Sequence, residues 1–336
     1  MPAPAKLMNL SALLLKKEAT YGTAIAVTAT ADGHLLALSD RHPAILTMEY
    51  LYDGRLGPSP GNLGDLRRIG PVGRTVSGDI PMRFRGAGTT YAATVLPSLH
   101  TMLQISGFDA TLGSGAFTYT PTADSTTYAS ATAEYYKRGE MWRALGVLAN
   151  WGFRVEGAAP PIHTFGVKGI ASVAVADAAM VAPAYQNVTV TPSIAAGLGC
   201  TIGDWTAVGV KSATFSMNRT FEPRWGLEEA DGHLGFFPTG YDPELRIVVE
   251  STALVGTPYH TSGGFDPYLL RTSANDFAVA LTVGGVAFNR IKLNLPQAQL
   301  VDAVMGNEGA VATTELVIKP YNSTPILNDI LNVVCD

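Results

Sequence analysis

The sequence is poor in charged residues. Only 15% of its 336 residues are Asp, Glu, Lys or Arg, against about a quarter in ordinary soluble domains. A free monomer usually relies on charge for solubility, so this composition is typical of a protein whose surface is covered by other protein. The net charge of −5 excludes a basic surface that grips nucleic-acid phosphates. Composition therefore indicates an assembly that does not bind DNA tightly.

Cysteine and long apolar runs are also scarce. Cys200 and Cys335 lie far apart and lack the spacing of a metal site or a redox pair. We interpret both as buried or incidental thiols, which excludes a disulfide framework. The apolar run at residues 13–15 is too short for a signal peptide or a membrane span. We expect a protein made in a reducing cytoplasm, without a membrane segment.

Catalytic motifs are absent as well. The six histidines show no paired spacing of metal ligands, and neither a nucleophile elbow nor a phosphate-binding glycine loop occurs. Glu228, Glu229 and Asp231 form a cluster of potential cation ligands, but the alternating ligands of a calcium loop are missing, and a solvated loop is the better interpretation. We therefore expect no catalytic residues, no metal and no cofactor.

The sequence does contain a strand–helix–strand unit. Ile80, Met82 and Phe84 alternate with less apolar neighbours, which is the period of a strand with one buried face. Apolar residues at 3.6-residue spacing then predict a helix over residues 95–106, with a glycine after its end. Return strands follow, with alternation at residues 131–136.

A looser copy of this unit follows about 165–170 positions later. Its strand carries Leu245, Ile247 and Val249 on one face, and a helix is predicted over residues 267–272. Asp266 before a proline is a typical helix start.

The copy ends in two strands, residues 277–283 and 286–295, and the Gly284-Gly285 dipeptide between them predicts a tight hairpin. We therefore predict an all-β protein with minor α content, in which one domain occurs twice and each copy holds one helix.

This hypothesis divides the chain into five parts. Residues 1–38 form an N-terminal arm and residues 39–175 the first domain. Residues 176–184 are small and end near a proline, which is typical of a linker. Residues 185–319 form the second domain, and residues 320–336 an apolar tail that needs a place to dock.

Two long connections rich in Gly and Pro, residues 53–73 and 218–242, occupy the same place in the two copies. Connections of this length in a compact domain are usually functional. Loops on equivalent edges of a repeated unit project in the same direction, so we expect these two to share a task.

These features resemble those of the tail tube proteins of long-tailed bacteriophages, in the larger variety that carries the tube domain twice. The resemblance lies in Glu-Ala-Thr-Tyr-Gly-Thr at residues 18–23, the helix end at residues 99–108, Phe-Thr-Tyr-Thr-Pro at residues 117–121, and Phe-Asp-Pro-Tyr at residues 265–268. It covers nearly the full length in the order of elements. The first loop and the tail are longer than is usual.

The resemblance implies a structural protein without catalytic residues. Each tube domain would be a β-sandwich or barrel with a flanking helix, and the sheets of neighbouring domains would join into an inner barrel. Rings would stack into a conduit in the virion tail, assembled in the host cytoplasm, through which DNA passes without specific binding. Other partners would be the tape measure, terminator and distal tail proteins. If single-domain relatives need six domains per ring, this chain would form rings of three.

On this interpretation, the long loops, the arm and the tail would carry contacts between stacked rings. The candidate inter-ring residues are Arg67, Arg68, Trp225, Leu227, Phe236 and Phe237. The lumen would be lined by acidic and small polar side chains, because each cation would add affinity for phosphate. The lumen candidates are Glu49, Glu134 and Glu250.

Two other hypotheses compete with this one. A β-sandwich enzyme, carbohydrate-binding module or adhesin would need clustered tryptophans and carboxylates, but the four tryptophans are scattered along the chain. Another virion β-protein, such as a decoration or tail terminator protein, would share the composition without needing the duplication.

Overall fold

A computed structural model describes most of the chain. The described residues are 11–36, 47–52, 71–122, 128–137, 139–157, 159–171, 176–179, 181–187, 189–193, 199–206, 209–226, 233–251, 266–273, 276–323 and 329–336.

The fold is all-β with minor α content, as the alternating pattern predicts. The strands are β1 (Ser11–Lys17), β2 (Gly33–His34), β3 (Thr47–Tyr52), β4 (Pro71–Met82), β5 (Phe108–Gly113), β6 (Ala116–Pro121), β7 (Ala131–Lys137), β8 (Glu140–Glu156), β9 (Ile162–Ala171), β10 (Ala176–Asp177), β11 (Gly199–Ile202), β12 (Trp205–Thr206), β13 (Val210–Ser216), β14 (Thr220–Trp225), β15 (His233–Gly240), β16 (Glu244–Glu250), β17 (Phe277–Val283), β18 (Ile291–Glu308), β19 (Val311–Pro320) and β20 (Asn332–Cys335). The helices are α1 (His100–Ile105) and α2 (Pro267–Ser273).

One order of antiparallel pairing occurs twice. In the first half β4 pairs with β9, β9 with β8 and β8 with β7. In the second half β16 pairs with β19, β19 with β18 and β18 with β17 in the same manner. We call β1 to β9 the first repeat and β11 to β19 the second repeat.

Both repeats share one core. Strand β13 pairs with β16 of its own repeat and with β8 of the first. The ring of Phe215 on β13 therefore packs 5.1 Å from that of Trp151 on β8, and both side chains are buried. Apolar burial across this joint stabilises the two repeats as a unit.

Helix positions follow the sequence with one difference. Asp266 caps α2, since its Oδ1 accepts hydrogen bonds from the backbone N–H groups of Tyr268 (3.1 Å) and Leu269 (3.0 Å). Helix α1 begins at His100 rather than at residue 95. Val95 instead forms a β-bridge with Ala92, and this turn takes up the backbone groups that the longer helix would have used.

The tight hairpin predicted at Gly284-Gly285 is wrong. Strand β18 begins only at Ile291, so the turn is several residues longer. The added residues contact the first repeat: Asn289 Oδ1 accepts the backbone N–H of Gly86 at 2.8 Å. A contact with a distant segment thus determines this turn, rather than the local preference of two glycines.

The expected arm and tail differ from the structure where it describes them. Strand β1 lies between β2 and β7, with Leu13 and Leu15 buried in the core. Strand β20 pairs with β18 on one side and with β6 on the other, so it joins the two repeats. These segments are strands of the sheet because their apolar residues are buried in the core.

His34 and His163 are buried in this core, and His100 is partly buried. Burial lowers the pKa of His34 and of His100 to about 4, and that of His163 to about 3. His163 accepts a hydrogen bond from Trp151 Nε1 at 3.3 Å and stacks on the indole. All three are therefore neutral in the folded protein at pH 5, whereas an unfolded chain protonates them below its ordinary pKa of about 6.5.

We expect stability to fall as the pH drops below about 6.5. Between that pH and the lowered pKa values the unfolded chain binds more protons than the folded one, at about 1.4 kcal/mol per pH unit for each histidine. Urea unfolding at pH 7, 6, 5 and 4.5 measures the slope. In His163→Gln the part of the slope due to histidine should be about a third smaller, because carboxylate titration is common to both proteins. Identical slopes would contradict this origin.

Candidate assembly surfaces

The joint between the repeats lies along one edge of β8. Phe153 pairs with His163 of β9 on one edge and with Phe215 of β13 on the other. Earlier in the strand, Ala144 pairs with Ala133 of β7 on that same second edge. The 17 residues of β8 thus present one long edge, which β7 and then β13 occupy.

Strand β18 presents the corresponding edge in the second repeat, and there the described residues provide no second strand, although Arg271 of α2 contacts Asp302 at 2.8 Å. Ala298 pairs with Phe277 of β17 on one edge and with Pro320 of β19 on the other. From Gln299 to Glu308 only β19 is paired with β18 among the described residues. The backbone groups on the other edge are a template for an additional strand.

The exposure of core-facing side chains differs between the part of β8 that β13 covers and the equivalent part of β18. Val155 faces the core on the part of β8 that β13 covers, and it is 2% exposed. Met305 faces the core side on the uncovered part of β18 and is 73% exposed. Val301 is also exposed, and so is Val304, which pairs with Glu315 on the opposite face of the sheet. Exposed apolar side chains along a strand edge are typical of a protein contact.

A second surface is the hairpin of β14 and β15, which forms its own two-stranded sheet. It leaves the second repeat and lies against β9, β4 and β8 of the first. Phe236 is buried there, with the ammonium group of Lys168 5.8 Å from its ring centroid. Trp225 and Phe237 of the hairpin are exposed, and Phe237 also lines a cavity bordered by Tyr21 and Leu148 of the first repeat.

Tyr21 of the first repeat holds this hairpin. Its hydroxyl accepts the backbone N–H of Phe236 at 2.8 Å, and its ring lies between Gly146 and Gly235. A Cβ at Gly146 would lie 2.8 Å from the ring, and one at Gly235 2.3 Å from the hydroxyl, so only glycine fits at either place. Burial raises the pKa of Tyr21, which keeps the hydroxyl protonated.

Glu18 in turn fixes the turn that carries Tyr21. Its carboxylate is buried and accepts four hydrogen bonds: from Ser130 Oγ at 2.6 Å, Thr132 Oγ1 at 2.9 Å, Gly22 N at 2.9 Å and Gly146 N at 3.1 Å. Donors from three segments satisfy the charge without a cation. The motif at residues 18–23 thus supports the contact between repeats, a role that the sequence pattern alone did not indicate.

Arg219 adds a further contact at the base of the hairpin. Its backbone N–H donates to Asn150 Oδ1 at 2.9 Å, across the joint. Its guanidinium lies 4.9 Å from the ring centroid of Tyr128 and 5.3 Å from that of Tyr241. The rings stabilise the buried cation, although burial lowers the pKa of Arg219. We did not predict this residue, because a single arginine has no sequence pattern.

The solvent-facing side of the continuous sheet carries cations that are paired with carboxylates. Arg246 contacts Glu244 at 2.6 Å and Glu315 at 3.3 Å. Lys211 contacts Glu250 at 2.7 Å, and Arg154 contacts Glu156. These exposed pairs add little stability, but they leave a surface of mixed charge rather than a positive one.

The predicted site residues fall in different places. Trp225 and Phe237 are exposed on the hairpin, whereas Phe236 is buried against its own chain. Glu250 is half-buried and paired with Lys211. Arg67, Arg68, Leu227 and the acidic cluster at residues 228–231 lie outside the described residues, and so does the side chain of Glu49, whose backbone pairs with Thr75.

Glu134 does not lie on a wet face, contrary to the prediction. It is 4% exposed, and it accepts hydrogen bonds from Arg143 Nε at 2.9 Å and Tyr136 at 2.8 Å. Both faces of β7 are buried, because residues packed around Ala12, Leu14 and Tyr136 cover the second face. Glu134 is therefore part of an internal ion pair.

The part of the chain that the structure describes contains no cluster of three or more metal-ligating side chains. None of its helices is long and apolar enough to cross a membrane. Cys200 and Cys335 are both buried as free thiols, and burial raises the pKa of Cys200 to about 12.

The antiparallel pairing order that occurs twice defines an all-β protein. Residues 8–250 match the family model described as phage tail tube protein. The chain belongs to this family, as the resemblance predicted. None of the curated proteins matches the chain. Membership in this family implies a location in the virion tail and assembly with copies of itself and with other tail proteins.

We expect Glu18→Gln to lower the free energy of unfolding by about 2–3 kcal/mol. The amide keeps the shape of the side chain, but its NH₂ group faces hydrogen-bond donors at a position where a carboxylate oxygen accepted their hydrogen bonds. Urea unfolding measures the change. Glu156→Gln on the exposed sheet face is the matched control and should shift stability by less than about 0.5 kcal/mol. Equal effects of the two substitutions would argue against a special role for Glu18.

Proposed function

We propose that this chain polymerises as stacked rings into the tail tube and so forms the conduit for DNA ejection. The observation that supports this most directly is the pairing of β13 with β8, which joins two repeats edge to edge within one chain. We interpret the repeats as two copies of a tube domain. Each chain then already contains one example of the lateral joint that a ring needs.

The uncovered edge of β18 supports a second joint of the same kind. This edge of β18 lies at one lateral end of the two joined repeats, and β4 lies at the other. Residues 78–82 of β4 pair with β9 on one side. On the other side of those residues, the described part of the chain supplies only the bridge between Leu36 and Met82. Pairing of β18 with the first repeat of the next copy would bury both edges and close a ring.

Three chains per ring follow from two domains per chain, if six domains close the circle. A closed barrel ties strand number to diameter, so six chains would roughly double the strand count and widen the bore. Two kinds of joint would then alternate around the ring. They would use equivalent edges but different side chains.

The charge of the sheet face suits a conduit. In the proposed ring, the side that carries Arg246 and Arg154 faces the lumen, and carboxylates neighbour both arginines. Pairing reduces the number of free cations that phosphates would meet, so DNA would slide without specific binding. We propose no catalytic activity. The hypothesis of a tryptophan-lined sugar site loses support, because Trp151 and Trp205 are buried in the core.

We expect Met305→Lys to abolish ring formation while leaving a folded monomer. The exposed methionine can be changed without loss of packing in the free chain, but a lysine on a strand edge opposes the addition of another strand. Mass photometry should find three chains per ring for the unchanged protein and single chains for the variant. Leu112→Lys, at an exposed position on β5 of the first repeat, is the matched control and should form rings.

Two results would count against the proposal. Rings of six chains would mean that the repeats do not each fill one sixth of the circle. Rings of normal mass from Met305→Lys would mean that β18 does not form the joint.

A further inference from the structure

If the proposed ring is correct, the ends of the strands define its two faces. Strand pairing runs around the ring, so the strands cross from one face to the other. Ser216 at the end of β13 pairs with Glu244 at the start of β16, and the β14–β15 hairpin lies beyond this end. The hairpin therefore lies at one face of the ring.

Two turns lie at the opposite face. The start of β13 pairs with the end of β8, as Ser212 lies opposite Glu156, so the turn from β8 to β9 lies at the end away from the hairpin. Likewise Glu250 at the end of β16 pairs with Thr313, close to the turn from β18 to β19. The two faces of a ring are thus formed by different segments.

Both faces carry exposed apolar side chains. The hairpin exposes Trp225 and Phe237, which are 56% and 37% exposed. At the opposite face, Val311 beside the β18–β19 turn and Ile162 beside the β8–β9 turn are 43% and 42% exposed. In a tube, the neighbour of each face is the next ring, whose nearest face is the other type. A second copy of this chain is therefore the partner that both patches fit.

We propose that Tyr21 is a latch that holds the β14–β15 hairpin where Trp225 and Phe237 dock on the β18–β19 turn of a copy in the next ring. This inference rests on the proposed ring and adds the surface that stacks rings and the residue that positions it. The hairpin pairs with no strand outside its own two-stranded sheet in the described residues. Its position therefore depends on side-chain contacts and on the hydrogen bond to Tyr21.

The latch is built into the first repeat. Glu18 fixes the turn, and Tyr21 reaches between the two glycines to the backbone of the hairpin. Phe236 then packs on the first repeat, and its neighbour Phe237 is 37% exposed at the rim of a cavity that Tyr21 and Leu148 also line. Tyr21 acts through the backbone of the hairpin, so it is a positioning residue.

The first test is Tyr21→Phe, which removes only the hydroxyl that accepts the Phe236 N–H. We expect rings of normal mass, but a concentration for tube formation raised by about tenfold, because the hairpin loses one of the contacts that hold it. Tyr21→Ala should raise it further. Tyr185→Phe, at another half-buried tyrosine, is the matched control and should leave tube formation unchanged. Negative-stain microscopy counts tubes, and mass photometry counts rings.

The second test blocks one face at a time. Trp225→Asp and Val311→Asp should each give single rings when alone, since each stack needs one face of each type. An equimolar mixture should give pairs of rings and nothing longer, because the intact hairpin face of one variant meets the intact turn face of the other. Leu112→Asp should still form tubes.

The outcomes distinguish a failure of the proposed ring from a failure of the proposed role of Tyr21. Absence of rings from the unchanged protein would overturn the proposed function. Normal rings together with normal tubes from Tyr21→Phe and Tyr21→Ala would overturn the latch. Ring pairs from Trp225→Asp alone, or single rings from the mixture, would show that these two patches do not dock on each other.

Discussion

An unpaired strand edge is the constraint on which this structure depends. The N–H and C=O groups along a strand must find partners, and an edge that carries apolar side chains does not remain free in solution. The chain meets this constraint once internally, where β13 covers the end of β8. Among the described residues, the corresponding stretch of β18 has no second strand, and Met305 is exposed there. In the proposed ring, this stretch is the attachment point for another copy.

The contact between repeats combines apolar and polar interactions with different roles. The packing of Phe215 on Trp151 is non-directional and supplies burial. The bonds from Glu18 to the turn and from Tyr21 to the hairpin are directional, and they fix one orientation. A buried carboxylate with four donors tolerates little displacement, since each lost donor leaves charge unsatisfied. Orientation matters in an assembly because a small angular error in each subunit accumulates around a ring.

The low charge of the sequence also has an explanation in these surfaces. On the exposed side of the sheet, arginines and carboxylates neighbour one another. The hairpin and the turns instead expose Trp225, Phe237 and Val311. A monomer with such patches would be prone to association, and in this family association is the function. The composition and the position of the apolar surface thus agree.

The sequence by itself determined the local features. Alternation at Ile80 to Phe84 and at Leu245 to Val249 predicted strands with one buried face, and Asp266 predicted the start of α2, because each pattern acts within a few residues. Order and spacing also predicted that the unit recurs, which agrees with the repeated pairing. The residues exposed on the hairpin, Trp225 and Phe237, were named from their apolar character alone.

Only the tertiary structure decided which surfaces remain free. The second face of β7, which carries Glu134, is covered although alternation assigned it to water. The residues packed there include Val27, Ala29, Ala178 and Val181. Tyr21 and Phe236 bond across 215 positions of the sequence. Burial is a property of all neighbours in space, whereas periodicity reports only one strand or helix, so a sequence pattern cannot show that a distant segment covers a face. For the same reason, the sequence of β18 does not show that its edge is without a second strand in the described residues. The comparison with β8, whose equivalent edge pairs with β13, does show it.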